Sequence, residues 1–214
     1  MGKLSITTAS VAWFKLHEFV QRREKERALI IYKLLVHSVS DQAVAKQLMG
    51  DLLHMFDDPD AFDCYQQAAR FYEQAGRCEH AVALYKYMLS LDKLCDNYYV
   101  GLVRAYKLFD ESRMMLAIQD YLIVLIEQKR TLDAHEYIRL SPCSSKQKVV
   151  LYEFFVEYLL STCSSREKIG IQSHVAAAID ELHKTGVGVD QFCERLQKLD
   201  SDMYNFAKDY ASCI

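Results

Sequence analysis

The sequence predicts an all-α fold of antiparallel helix pairs, on three observations. Apolar residues recur at helical spacing almost from end to end. Only two prolines, Pro59 and Pro142, and seven glycines occur among 214 residues, too few turn residues for hairpin-rich β structure. The breaks that do occur coincide with helix start and stop chemistry. With 51% apolar and 26% charged residues, the chain has the composition of a folded domain with a sizeable core.

Local signals place the elements in order. Ser10 is expected to cap a first helix over about 10–23, whose Val11, Phe14, Leu16, Phe19 and Val20 fall largely on one stripe. A second covers about 24–38, and Ser40 or Asp41 opens a third reaching about Phe56. Asp58-Pro59 is the clearest boundary. The aspartate suits an N-cap and the proline the first helical position, where its missing N–H leaves nothing unsatisfied. That helix runs to about Ala75, and Gly76 stops it with a left-handed residue. Helices over about 78–91, 96–109 and 111–129 follow, then a short one at 131–140 halted by Ser141-Pro142. Two capping boxes, Ser144 with Gln147 and Ser164 with Glu167, open helices of about 145–162 and 165–184. Gly186-Val187-Gly188 breaks the chain before two last helices, about 190–200 and 202–212, for a total of about twelve.

One pattern recurs along this series. It reads Ala28-x-x-x-Tyr32-x-x-Leu35, Ala61-x-x-x-Tyr65-x-x-Ala68, Ala81-x-x-x-Tyr85-x-x-Met88 and Ala117-x-x-x-Tyr121-x-x-Val124. Positions i, i+4 and i+7 share a helix face. The small residue lets a neighbouring helix approach, and the aromatic fills the space one turn on. Four occurrences, at intervals of 33, 20 and 36 residues, point to an internal repeat.

Phe62 to Asp92 carries the fullest version. Tyr65, Ala68-Ala69, Tyr72, Gly76, Ala81, Tyr85 and Met88 stand where the tetratricopeptide consensus places its aromatic, small and glycine positions, and the segment resembles that repeat. Residues 96–129 are similar at Tyr99, Leu102, Tyr106, Ala117 and Tyr121, with about two extra residues in the turn around Lys107–Arg113. Residues 11–38 match loosely through Trp13, Leu16, Ala28 and Tyr32. The resemblance covers residues 10–130 at most and implies a right-handed α-solenoid. The expected organisation is one contiguous domain, 1–140 of such helical repeats and 141–214 as C-terminal helices that continue or cap them, with no family resemblance beyond 140. The 20-residue interval between Ala61 and Ala81 makes one helix serve two units, and the long-helix solenoids of the SNAP adaptor proteins are a close alternative. In either form a very apolar helix such as Val149–Leu160 belongs in the middle of a stack.

Composition narrows the function classes. A net charge of −3 and a basic run at Gln21–Arg27 interleaved with Glu24 and Glu26 disfavour a nucleic-acid surface. Seven cysteines, odd in number and without a CxxC, suit free thiols in a reducing, cytoplasmic setting, where most behave as small buried hydrophobes. MGKLSITTAS lacks the apolar core of a signal peptide. Met114–Ile126 and Val149–Leu160 are too short to span a bilayer and carry Gln119, Asp120, Glu153 and Glu157, so a soluble protein is expected.

Chemistry-bearing patterns are sparse. The seven histidines form no HExxH and no Cys/His knuckle, and Cys78-x-His80 has no second pair to complete a metal site. Glu153 and Glu157 share a helix face, which more often marks a solvent stripe than a carboxylate pair for acid/base work. No phosphate-binding glycine loop or nucleophile elbow occurs. The expectation is a non-enzymatic scaffold or adaptor with no metal and no cofactor.

The tetratricopeptide resemblance implies that the first helix of each pair lines a partner groove. It puts Asp63, Gln66, Arg70, Glu73 and Gln74 on that side of one repeat and Asn97, Val100, Arg104 and Lys107 on that side of the next. The Lys/Asn clamp by which some co-chaperones of that family hold an acidic peptide is not reproduced at Gln66, Arg70, Val100 and Arg104. Arg70, Arg104 and Lys107 still favour an acidic segment, since arginine pairs bidentately with carboxylates. The leading expectation is a protein or peptide partner held in this groove or on an apolar edge. A helical-repeat RNA binder and an enzyme with a site between helices are the alternatives. The fairly apolar Ala211–Ile214 leaves self-association open.

Overall fold

Helix-forming stretches separated by one- to five-residue connections fold as the periodicity requires. The computed structural model describes residues 6–162, 168–186 and 188–214. Among them lie twelve α-helices and no strand. They fall into two compact units, residues 1–109 and 110–214.

Unit 1 holds α1 (Ile6–Gln21), α2 (Lys25–Val36), α3 (Gln42–His54), α4 (Asp60–Gln74), α5 (Cys78–Leu91) and α6 (Asp96–Lys107). Its helices end where the sequence chemistry places their ends. Asp41 caps α3 by accepting from the Ala43 and Val44 amides. Asp58 accepts from the Asp60 amide at 3.0 Å, with Pro59 already in helical dihedrals between them. Gly76 stops α4 at φ +72°, with the Gly76 amide on Glu73 O and the Arg77 amide on Tyr72 O. Those two bonds are the Schellman pattern, which satisfies carbonyls the helix leaves open. Ser10 is a correction. The first helix starts by Ile6, so Ser10 lies inside it and cannot cap it.

The repeated alanine-tyrosine pairs are the interior of this unit. Ala28, Ala61 and Ala81 are fully covered, and Tyr32, Tyr65 and Tyr85 nearly so. Small residues set how close the helices come. A Cβ built on Gly50 of α3 would stand 2.6 Å from the Tyr65 ring of α4, and one on Gly101 of α6 would strike the Tyr85 ring of α5. The α4 helix packs against both α3 and α5. Two layers result: α1, α3 and α5 in one, α2, α4 and α6 in the other.

Unit 2 holds α7 (Glu111–Glu127), α8 (Thr131–Leu140), α9 (Ser145–Thr162), α10 (Lys168–Thr185), α11 (Val189–Leu199) and α12 (Ser201–Ser212). The Ser144–Gln147 capping box forms reciprocally: the Ser144 amide donates to Gln147 Oε1 at 2.8 Å and the Gln147 amide to Ser144 Oγ at 3.4 Å. The second box, Ser164 with Glu167, and Val187 lie outside the described residues. The apolar α9 occupies the middle of this unit, packed against α7, α8, α10 and α11, with Leu151, Tyr152, Phe155 and Val156 fully covered. Burying side chains of that size contributes on the order of 1.5–3 kcal/mol each, which fixes α9 as the hub of unit 2.

Two residue-level expectations need correction here. Glu153 is not on an open solvent stripe: it is half-buried and paired with Arg195 of α11, while Glu157 stays exposed. Of the described cysteines only Cys64 and Cys193 are buried. Cys78, Cys95 and Cys143 are half-buried and Cys213 is exposed.

Candidate functional site

The residues singled out from the sequence all lie on the α4/α6 layer of unit 1. Asp63, Arg70 and Gln74 of α4 and Asn97, Val100, Arg104 and Lys107 of α6 are exposed, and Gln66 and Glu73 are half-buried. The fold joins several of them to each other. Arg104 Nε donates to Glu73 Oε2 at 2.8 Å and Arg104 Nη2 to Glu73 Oε1 at 3.1 Å. This is the bidentate geometry expected of an arginine and a carboxylate. Arg104 Nη2 also donates to Tyr85 Oη at 3.0 Å. Burial, with Glu73 nearby, pushes the Tyr85 hydroxyl up to about 12, so it stays protonated. Gln66 reaches the Tyr98 hydroxyl, and Tyr98 stacks on Phe62 with ring centroids 6.1 Å apart.

Three of these nine residues, Gln66, Glu73 and Arg104, therefore have partners inside the fold. Arg104 faces a carboxylate of its own chain, which any acidic segment would have to displace. Arg70 and Lys107 have no ion-pair partner among the described residues and remain available. A further cavity of about 450 Å³ lies in this half of the unit between α2, α3 and α4, lined by Tyr32, Val36, Met49 and Phe71 with Lys46 at its side.

The opposite layer presents a different surface. One cavity of about 310 Å³ lies between α1 and α3, lined by Trp13, Leu16, Val20, Leu48, Leu52 and Met55. A second of about 310 Å³ lies between α3 and α5, lined by Gln47, His80, Ala83, Leu84 and Tyr87. Asp51 belongs to both linings, so the two cavities adjoin at that residue on α3. Trp13 and Met55 are 42% and 56% exposed, large apolar side chains that the fold leaves in water along their rim.

Asp51 is the electrostatic feature of this surface. Its Oδ1 accepts from Tyr65 Oη at 2.9 Å, and no cation pairs with it among the described residues. Burial pushes its carboxyl above the ordinary carboxylate value, opposed by the Tyr65 bond and by His54. Tyr65 is held in turn by the edge of the Tyr87 ring at 5.5 Å, and His54 meets the same ring at 6.2 Å. The result is a fixed anion between two apolar hollows.

Sequence reasoning passed over this site. Its signal was present in α3, where Leu48, Asp51, Leu52 and Met55 stand at i, i+3, i+4 and i+7, a carboxylate inside an apolar stripe. Among the described residues no three His, Cys, Asp or Glu side chains converge as a metal set, and His80 instead stacks on Tyr72 at 5.2 Å.

Fold and surface together define an all-helical protein of closely packed neighbouring helices, none of them, among the described residues, long and apolar enough to cross a membrane. The chain matches no protein-family model and no curated protein.

Proposed function

We propose that the protein is a non-enzymatic interaction scaffold of tetratricopeptide-like helix pairs, working in a reducing, intracellular setting, and that it holds a peptide or helix of a partner protein in the α1/α3/α5 groove of unit 1. The observation that carries this reading is the pair of largely apolar cavities that adjoin at Asp51. Concave, mostly apolar surfaces with a few fixed polar groups are the usual form of a recognition site. A helix laid in such a groove anchors by side chains three to four residues apart. Buried alanine-tyrosine pairs support the repeat likeness, since they are the positions that set helix spacing in such stacks.

The test is affinity capture from native lysate, with nuclease and at two salt concentrations, comparing the natural chain with Met55→Arg. Met55 is exposed on the groove rim, so the arginine fills the groove without entering the core. A stoichiometric protein that survives nuclease and salt and is lost with Met55→Arg is the expected result. Nucleic acid released by salt would overturn the reading in favour of an RNA-binding repeat. Capture unchanged by Met55→Arg would move the site off this groove.

A further inference from the structure

The groove has a chemical preference that follows from its one fixed charge. Among the residues lining its two cavities, Asp51 is the one carboxylate, and no lysine or arginine lines either one. The titratable neighbours are His17 and His80 in the linings, with His54, Tyr65 and Tyr87 around the carboxylate. Elsewhere in unit 1 the fold pairs its half-buried carboxylates with cations: Glu73 with Arg104, Asp41 with Arg77, and Asp58 with Lys25. Asp51 is half-buried as they are, yet it receives only a neutral hydroxyl. A partly desolvated carboxylate without a counter-charge is a costly arrangement that an incoming cation relieves.

Resting on the groove reading above, we infer that the partner segment is an amphipathic helix carrying a lysine or arginine that pairs with Asp51, flanked by apolar side chains that enter the cavities on either side. Charge complementarity selects this occupant. An acidic segment would bring like charge onto Asp51, and a wholly apolar one would cover the carboxylate and leave it unpaired. The flanking hollows lie to the α1 side and the α5 side of α3, so the apolar anchors stand before and after the cation, three or four residues away. Aromatic walls at Trp13 and Tyr87 suit the aliphatic stem of a lysine or arginine.

A displayed library of random helical peptides, selected on the full-length chain, tests the inference, with affinities of enriched peptides measured against variants. Enriched peptides are expected to share one lysine or arginine with apolar residues three or four positions to each side. Asp51→Asn keeps an acceptor for Tyr65 and removes only the charge; it should weaken binding about tenfold or more. Changing the peptide cation to glutamine should cost as much on the natural chain and little further on Asp51→Asn. Circular dichroism melts of Asp51→Asn and Met55→Arg report whether the fold is kept, and the peptide change needs no altered protein at all. If Met55→Arg abolishes binding while Asp51→Asn and the peptide change have no effect, the groove stands and the cation rule falls. Binding indifferent to Met55→Arg, or a library that yields no common pattern, overturns both. Acidic peptides lost on Arg70→Glu would place recognition on the α4/α6 face instead.

Discussion

Gly50→Ala should destabilise the protein although alanine is the better helix former. The new Cβ would lie 2.6 Å from Cδ1 and Cε1 of Tyr65 and 3.1 Å from Cγ. Ordinary carbon contacts stand at about 3.5–4.0 Å, so roughly an ångström of overlap must be relieved. The ring has little room to give. Tyr65 is 1% exposed, its hydroxyl is bonded to Asp51, and Tyr87 stands edge-on against it at 5.5 Å. Overpacking of that kind costs about 1–3 kcal/mol. Replacing a mid-helix glycine returns roughly 0.8–1 kcal/mol of propensity. The net loss is on the order of 1 kcal/mol, or about 2–4 °C in Tm for a chain of this size. Gly170→Ala is the control, because an added Cβ there meets nothing within 4 Å and should stabilise by about 0.5–1 kcal/mol. Thermal and urea melts of the two variants should move in opposite directions. Combining Gly50→Ala with Tyr65→Leu should remove the penalty, since the clashing ring is gone. If Gly50→Ala raised Tm as Gly170→Ala does, the close approach of α3 and α4 at this point would be refuted.

Two further outcomes follow from charge and burial. In unit 2, burial holds His135 and His174 below the usual imidazole value, and His135 Nδ1 is buried without a hydrogen-bond partner. Glu136 and Arg139 of α8, Tyr152 of α9, and His174 and Glu181 of α10 surround His135, and the two glutamates only partly offset desolvation. The unfolded chain therefore binds more protons, so stability is complete above about pH 6.5 and falls as pH drops through the depressed folded values. Urea unfolding between pH 8 and pH 5.5 should show that decline, and His135→Phe should flatten it; a level profile in the natural chain would contradict it. On the α4/α6 face, Arg104→Glu should destabilise by about 1 kcal/mol or less, because the arginine is partly in water, and Glu73→Arg in the same chain should restore most of it. Recovery absent from the double variant's melt would mean the ion pair contributes nothing.

What the sequence made legible was local. Asp41, Asp58, Gly76 and the Ser144–Gln147 pair act within one turn of themselves, so their roles could be read in place, and the bounds of α5, α8 and α9 match their expected spans. The alanine-tyrosine motif was legible for the same reason: its two positions lie on one helix face, and burial of that face is what folding demands. Ser10 misled because a serine ahead of an apolar run looks like a cap, whereas the helix already runs from Ile6, ahead of that run. Pairings across helices left no local trace. Arg104 is 31 residues from Glu73, and nothing in either neighbourhood announces the other.

The same limit bears on both layers of unit 1. A polar residue on an exposed stripe shows only that water or some partner can reach it. Whether it has binding capacity to spare depends on what the fold has already given it. Arg104 looked available by position, but Glu73 and Tyr85 already occupy its Nε and Nη2 donors. Asp51 looked like an unremarkable acid in α3, but the fold half-buries it between two cavities and supplies only the Tyr65 hydroxyl. On the groove reading proposed above, what sets Asp51 apart from Arg104 is that its carboxylate is partly stripped of water with only a hydroxyl as partner, whereas Arg104 already holds a carboxylate.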